Sequence, residues 1–273
     1  MRVEEALSKL ASILKDYTHV LVAFSGGVDS TLLLAMVNRL EALDVTAVTV
    51  STPYIPNRYI EGARQLARNL GVRHVVLDGS DILRDERFLN NPPERCYLCK
   101  KNMYALIKRL LPSGRRCVVI DGTNADDLKE ERPGLRAMRE EGVLAPLALM
   151  GLTKRDVRLL ARELGLPNWN SPPTTCLLTR LPHGVRITTE RLSRVEAAES
   201  SIMSVLGSRC SALRVRDYGD LACIEVSGGD MSLVLEKRES IVNLLKSMGF
   251  KKVLLDLEGY RRYRPVIVDN NNV

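Results

Sequence analysis

Two sets of residues in this chain have the types and spacing to do chemistry. The first is the run Phe24-Ser25-Gly26-Gly27-Val28-Asp29-Ser30. The apolar residues 20–24 before it read as a buried parallel strand, and residues 30–37 after it read as the first turns of a helix. A strand, a glycine turn and a helix start make an anion site. Glycine lets the backbone close on a ligand, and unbonded helix N–H groups point at it. Ser25 and Ser30 add hydroxyl donors. Asp29 is unexpected there, because a carboxylate beside a polyphosphate needs a divalent cation between them. No Gly-Lys-Ser/Thr follows at Walker spacing, and the dinucleotide Gly-x-Gly-x-x-Gly order is absent.

The second set is thiols. The chain has six cysteines. Cys117, Cys210 and Cys223 lie in apolar, strand-like runs and read as small hydrophobes. Cys96, Cys99 and Cys176 stand in polar, proline-flanked stretches, where packing does not account for them. A C-x-x-C pair alone fits a redox pair, half a zinc site or part of a cluster. His19 and His74 occupy strand positions and read as structural, which leaves His183 as the candidate fourth zinc ligand. Three thiolates without a fourth protein ligand fit a cubane cluster with one iron left open to carry exogenous sulfide. A catalytic thiol or persulfide, a zinc site, and three unrelated cysteines are the other readings, and the residues leave all of them open. Lys100, Lys101, Arg95 and Arg180 would help offset thiolate or cluster charge.

These groups need elements to hold them. A chain of 273 residues, 45% hydrophobic, can bury the core of one large domain or two small ones. No run approaches the roughly 18 apolar residues of a membrane span. Met1-Arg2-Val3-Glu4-Glu5 opens an amphipathic helix in place of a signal peptide, so a cytoplasmic protein without a membrane partner is expected. The net charge of +7 suits a nucleotide as well as a nucleic acid. Aromatic residues at 4% give little stacking surface, which weighs against tRNA.

In order, helices are expected at 3–16, 57–70, from the C-x-x-C to about 111, and at 153–164 with Thr153 as N-cap. Strands are expected at 44–50, 73–77 and 116–121. This alternation predicts an α/β, doubly wound, mostly parallel sheet, with ligands at the carboxyl ends of its strands. Ser51, Gly122 and Thr123 fall at such ends. Asp126 and Asp127 behind them read equally as magnesium ligands or turn caps. Residues 130–136 read as a loop over the site. Prolines on one side and Arg180 on the other make residues 166–180 a rigid presentation of Cys176. Beyond 188, a helix (189–206), strands (213–217 and 221–226), a helix (about 230–248) and a strand (251–256) predict a smaller C-terminal α+β domain. The expected division is 1–170, a linker 171–187 carrying Cys176, and 188–273, with a disordered tail from 270.

Ser25-Gly26-Gly27-Val28-Asp29-Ser30 resembles the pyrophosphate loop (PP-loop) of the ATP pyrophosphatases. Taken with Gly122-Thr123-Asn124, Arg132-Pro133-Gly134-Leu135, Cys176-Leu177-Leu178-Thr179-Arg180 and Leu255-Asp256-Leu257-Glu258-Gly259-Tyr260-Arg261, it resembles the LarE family along nearly the whole chain. These are ATP-dependent sulfur transferases of nickel-pincer nucleotide biosynthesis. The resemblance implies adenylation of a carboxylate of pyridinium-3,5-biscarboxylic acid mononucleotide, followed by displacement of AMP by sulfur to give a thiocarboxylate. With it, the loop and strand-end positions are expected to place ATP on Ser25, Gly26, Gly27, Asp29, Ser30, Ser51, Gly122 and Thr123, with Asp29 bridging magnesium and Asp127 as the further candidate ligand. In some members the cysteine matching Cys176 gives up its own sulfur. Others carry the extra C-x-x-C and are thought to bind a [4Fe–4S] cluster that delivers sulfide; Cys96, Cys99 and Cys176 match these. Arg214 and Arg216 share one strand face, and the resemblance makes them the substrate-phosphate fork. Arg180, Glu225 and Asp230 complete the implied substrate set, the two carboxylates as cation ligands. Inorganic sulfide or another sulfur donor and a homo-oligomer are implied as partners. Leu178-Thr179 departs from the small residue and serine of many relatives. The rival readings are a tRNA 2-thiolation enzyme of the same superfamily, an ammonia-using amidating ligase and a non-catalytic nucleotide-binding regulator.

Overall fold

The computed structural model describes residues 2–113, 116–129, 132–172 and 174–260. Expectations for 130–131, Pro173, Arg261 and the tail from 270 lie outside these residues. The chain divides into two units, Met1–Arg84 with Glu94–Thr174, and Asp85–Pro93 with Thr175–Val273.

The first unit alternates helix and strand as its apolar periods require. α1 (Val3–Leu14), β1 (His19–Ala23), α2 (Val28–Val37), β2 (Asp44–Ser51), α3 (Asn57–Asn69) and β3 (Arg73–Asp78) come first. The chain then gives α4 (Glu86–Leu89) to the second unit. It returns with α5 (Arg95–Lys108), β4 (Cys117–Asp121), α6 (Pro133–Glu140), α7 (Pro146–Leu149) and α8 (Lys154–Glu163). The strands form a parallel sheet in the order β3-β2-β1-β4. Side chains alternate across it, so β1, β2 and β4 each feed two cores. Val20, Val22 and Ala47 pack with Leu10, Leu33, Ala63 and Leu160 on one face. Leu21, Val48 and Val119 pack with Tyr104, Ile107 and Met138 on the other. Helices therefore cover both faces, as expected of a doubly wound sheet. α2 is apolar all round because it is enclosed all round.

Two local expectations change. Residues 133–136 are not loop but the start of α6. Pro133 presets the first turn, and Leu135 and Met138 bury one side. α5 ends at Lys108, short of residue 111.

In the second unit, α9 (Thr189–Leu206), β5 (Leu213–Asp217) and β6 (Leu221–Val226) are followed by α10 (Met231–Glu236), α11 (Arg238–Ser247) and β7 (Lys252–Leu255). β5 and β6 are antiparallel, turning at Gly219 with φ +83°, a conformation that favours glycine. β7 lies parallel to β6. The helix expected over 230–248 is broken at Lys237, whose φ −98° and ψ 15° leave the helical region. Ala198, Ile202, Val215, Ile224, Leu245 and Phe250 form the core. The segment Asp85–Pro93 is stitched into this unit. Asn91 Nδ2 donates to the Pro182 carbonyl at 2.6 Å, and Ile187 N–H donates to the Leu89 carbonyl at 2.8 Å. No shift in composition announces that excursion. Among the described residues, no helix is long and apolar enough to cross a membrane.

Candidate functional site

The glycine loop sits between β1 and α2, at the carboxyl end of the sheet. Gly26 has φ +72°, and a Cβ there would meet Ala63 at 3.2 Å. The Ser30 hydroxyl donates to the Gly27 carbonyl at 3.1 Å and lies 3.1 Å from the Ser25 hydroxyl. Ser25 N–H donates back to Ser30 Oγ at 3.3 Å, so the two serines draw the turn closed. Gly27 is the N-cap of α2 and has no side chain to satisfy the first helical N–H groups, which leaves them for a ligand. At the end of β4, a Cβ on Gly122 would stand 2.8 Å from Ser30 N, so only glycine allows this approach. Asn168 Nδ2 ties the loop from another side, donating to the Gly26 carbonyl and to Thr31 Oγ1, each at 3.0 Å. Ser51 ends β2, and its carbonyl accepts from Gly79 N–H at 2.8 Å.

Asp29 lies in the first turn of α2. Its carboxylate accepts from Asn124 Nδ2 at 3.0 Å and pairs with the Lys154 ammonium. Lys154 opens α8, positioned by the capping box of Thr153 and Asp156. Lys154 N–H donates to Asp126 at 2.9 Å. A hydrogen bond from Lys129, aided by that N–H, holds the Asp126 carboxyl below its usual range. Asp127 accepts from Asn124 N–H at 3.2 Å and from Arg132 at 2.8 Å. Both carboxylates thus serve the turn after β4, and Asp126 is linked through Lys154 to Asp29.

Thr123 N–H donates to the Asp121 carboxylate at 2.8 Å. That carboxylate also accepts from Lys100 Nζ at 2.7 Å and the Tyr104 hydroxyl at 2.8 Å. Burial pushes the Asp121 carboxyl up, but the Lys100 ammonium, with Thr123 and Tyr104, pulls it down to about 2. The Lys100 ammonium is therefore committed to Asp121, and Lys101 pairs with Glu140 at 2.8 Å. The sequence expectation had set both lysines against thiolate charge.

Cys96 and Cys99 open α5, Cys96 exposed and Cys99 half-buried. A spacing of three puts them on one side of the helix. Cys99 Sγ lies 3.3 Å from the Tyr54 hydroxyl and 3.6 Å from Met103 Sδ. Among the described residues, no group of three or more His, Cys, Asp or Glu side chains is gathered to hold a metal.

Cys176 belongs to the second unit, and three arginines hold its segment. Arg180 Nη1 donates to the Thr175 hydroxyl at 2.6 Å, the Cys176 carbonyl at 3.1 Å and the Thr179 hydroxyl at 2.8 Å. Its other nitrogens pair with the buried Glu199 at 2.7 and 3.1 Å. Arg214 reaches the Thr175 hydroxyl at 3.5 Å and the Tyr260 hydroxyl at 3.0 Å. Arg216 donates to the Thr179 carbonyl at 2.9 Å and pairs diagonally across the ladder with Glu225, which stands opposite Arg214. Burial, with Arg180 and Arg216 nearby, lowers the proton affinity of the Arg214 guanidinium. Thr179 supplies the hydroxyl that a serine would, donating to the Cys176 carbonyl at 2.9 Å. Asp230 stands apart from this pairing, accepting from Ser211 and Ser227 at 2.8 and 2.6 Å. Burial raises the Cys210 thiol and pushes Cys223 up to about 11, so neither is primed as a thiolate. Cys210 is in the core as expected, but Cys117 and Cys223 are only half-buried.

Lys154, Asn168, Glu199 and Tyr54 had not been singled out in the sequence. Lys154 and Asn168 lie more than a hundred residues from the loop they touch, and no local pattern links them to it. The Lys154 pairing alone had a trace, because Thr153 signalled a helix start there.

A family model described as asparagine synthase matches residues 3–91. The chain is 37% identical over 249 residues to an uncharacterized protein of Methanocaldococcus jannaschii, covering 89% of this chain and 91% of that one. It is 33% identical over 261 residues to an uncharacterized protein of Synechocystis sp., covering 95% and 96%. It is 36% identical over 256 residues to the pyridinium-3,5-bisthiocarboxylic acid mononucleotide synthase of Lactiplantibacillus plantarum, covering 93% of this chain and 91% of that one. A likeness of that depth runs through both units, glycine loop and Cys176 segment alike, and the chain belongs to the LarE family of that synthase.

Proposed function

We propose that this chain is an ATP-dependent sulfur transferase. It adenylates a carboxylate of pyridinium-3,5-biscarboxylic acid mononucleotide, releases pyrophosphate, and converts the acyl adenylate to a thiocarboxylate. The observation that carries this reading is the hold of Arg180, Arg214 and Arg216 on the Cys176 segment within one unit. Guanidinium groups are suited to a substrate phosphate. A cysteine whose backbone carbonyl Arg180 holds is suited to deliver sulfur to the same molecule. The likeness to the synthase over 93% of the chain supports the choice of substrate.

In this reading the first unit is the ATP-pyrophosphatase domain. Ser25, Gly26, Gly27 and Ser30 hold the β and γ phosphates, and Ser51, Gly122 and Thr123 face the nucleotide. Charge builds on the departing pyrophosphate, so donors aimed there lower the barrier. Asp29 is the carboxylate placed to hold magnesium, which would neutralise that charge when bound. Lys154, the present partner of Asp29, is a cation suited to the same phosphates. Asp127 is a second magnesium ligand only if it leaves Arg132.

The second unit binds the mononucleotide, its phosphate on Arg214 and Arg216. Glu225 is paired with Arg216, Asp230 is the further carboxylate assigned to the substrate side, and Arg180 keeps the Cys176 backbone in place. The paired thiols of α5 fit two corners of an iron–sulfur cluster, and Cys176 is the third ligand. When bound, a [4Fe–4S] cluster would present sulfide at its open iron. Without it, Cys176 supplies its own sulfur. Magnesium, the cluster, the inorganic sulfide donor, a homo-oligomeric assembly and a cytoplasmic location all belong to this proposal.

The test is iron and acid-labile sulfide per chain after anaerobic reconstitution, with pyrophosphate and thiocarboxylate assayed in wild type and Cys176→Ala. Iron near four per chain, lost in the variant together with thiocarboxylate while pyrophosphate still forms, supports the cluster route. No iron, with at most one turnover per chain, shifts sulfur donation to Cys176 itself. Thiocarboxylate formed by Cys176→Ala overturns the proposal.

A further inference from the structure

Tyr54 and Met103 meet at the inner thiol of the C-x-x-C pair. Cys99 Sγ is 3.3 Å from the Tyr54 hydroxyl and 3.6 Å from Met103 Sδ. A thioether can only accept, whereas a phenol can donate or accept. A thiol has one proton. When that proton points to Met103, the hydroxyl proton points to sulfur. A sulfur bound to iron carries no proton, so there Tyr54 can only donate.

The donor is held firmly. Tyr54 is 1% exposed, so water does not compete for its hydroxyl. It stands in the turn after β2, where Ile55 N–H donates to the Thr52 carbonyl at 3.0 Å. Pro53 and Pro56 flank it with fixed φ. The hydroxyl therefore comes from a different element than the helix that carries the thiol, and it fixes the direction of the sulfur independently of α5.

We propose that Tyr54 is a positioning residue for Cys99: its hydroxyl orients the sulfur and donates a hydrogen bond to it when the sulfur is bound to iron. This rests on the reading of Cys99 as a cluster ligand. Hydrogen bonds to cluster sulfurs are among the determinants of reduction potential. The reduced cluster carries the greater negative charge and gains more from the donor, so losing the donor lowers the potential.

The test separates this contact from the cluster itself. In the iron-free full-length chain, the Raman S–H stretch of Cys99 is identified as the band lost in Cys99→Ser. Tyr54→Phe keeps the ring and its packing but removes the hydroxyl, and the band is expected to rise in frequency. Met103→Leu, which removes the acceptor, is expected to move the band the same way. After reconstitution, Tyr54→Phe is expected to hold as much iron as wild type, with a lower midpoint potential. An unmoved band in Tyr54→Phe overturns the proposal. So does a fully loaded variant whose potential matches wild type. If wild type takes up no iron, the cluster reading fails, while a shifted band still supports Tyr54 as the residue that orients Cys99.

Discussion

The glycine loop of the first unit and the arginine cluster of the second hold charge by opposite means. The loop is built from neighbours in sequence. Two serines and two glycines within residues 25–30 close it, its helix start has no side-chain cap, and its one acid is 23% exposed. The cluster is built from residues far apart in the chain. Arg180 and Glu199 pair at 3% and 1% exposure, and Arg216 and Glu225 at 5% and 7%. The loop can therefore lose its part-exposed Asp29 and keep its shape. The cluster cannot lose one member without stranding a charge out of water.

Four substitutions break or sharpen that contrast. The largest effect is expected at the cluster. Arg216→Ala leaves Glu225 buried without its ion-pair partner and should destabilise folding by about 3–5 kcal/mol. Urea denaturation measures this. The double variant Arg216→Met with Glu225→Leu should recover most of the stability without recovering mononucleotide binding. Were the single variant as stable as wild type, the cluster would be solvated and the contrast would fail.

Asp29→Ala comes next. Pyrophosphate release should fall by at least about 10²-fold, the scale of losing one preorganised electrostatic group. The midpoint of urea denaturation should barely move. Release at the wild-type rate would take Asp29 out of the reaction.

The third concerns the acid beneath Thr123. Asp121 has its folded value depressed to about 2, from an ordinary 3.8. Its stabilising contribution is therefore fully present above about pH 4 and is lost as pH falls through about 2. The expected size is roughly 2 kcal/mol. Asp121→Asn should flatten the acid limb of the stability profile in that window, and an unchanged limb would show that Lys100 does not stabilise this carboxylate.

The smallest effect is expected where the structure is most local. Thr153→Ala removes half of the capping box at the start of α8 and should cost about 1 kcal/mol. A thermal melt reads it. A much larger loss would mean that the cap also carries the Lys154–Asp29 pairing.

The loop shows why some of this was legible. Strand, glycine turn and helix are all encoded within residues 19–37, so type and spacing predict the turn and the helix start directly. The hairpin strands and the long helix of the second unit were also placed at their observed bounds, because alternation and capping are local signals. The break at Lys237 was not, since apolar spacing continues across it. Neither was the start of α6, where a run without clear period becomes helical because Leu135 and Met138 find the core beside α5.

By itself, then, the sequence determined the doubly wound sheet, the glycine turn between β1 and α2 and the set of thiols that stand outside apolar runs. Each of these rests on interactions a few residues long. Only the tertiary structure decided that Lys154 and Asn124 answer Asp29, that Lys100 serves Asp121, and that three arginines grip the Cys176 segment. It also decided that Asp85–Pro93 belongs with the second unit. The reason is that buried charges and buried backbone groups must find partners wherever the fold brings them. A partner on another element, from 21 positions away for Lys100 to 125 for Lys154, leaves no period, cap or turn in the sequence to announce it.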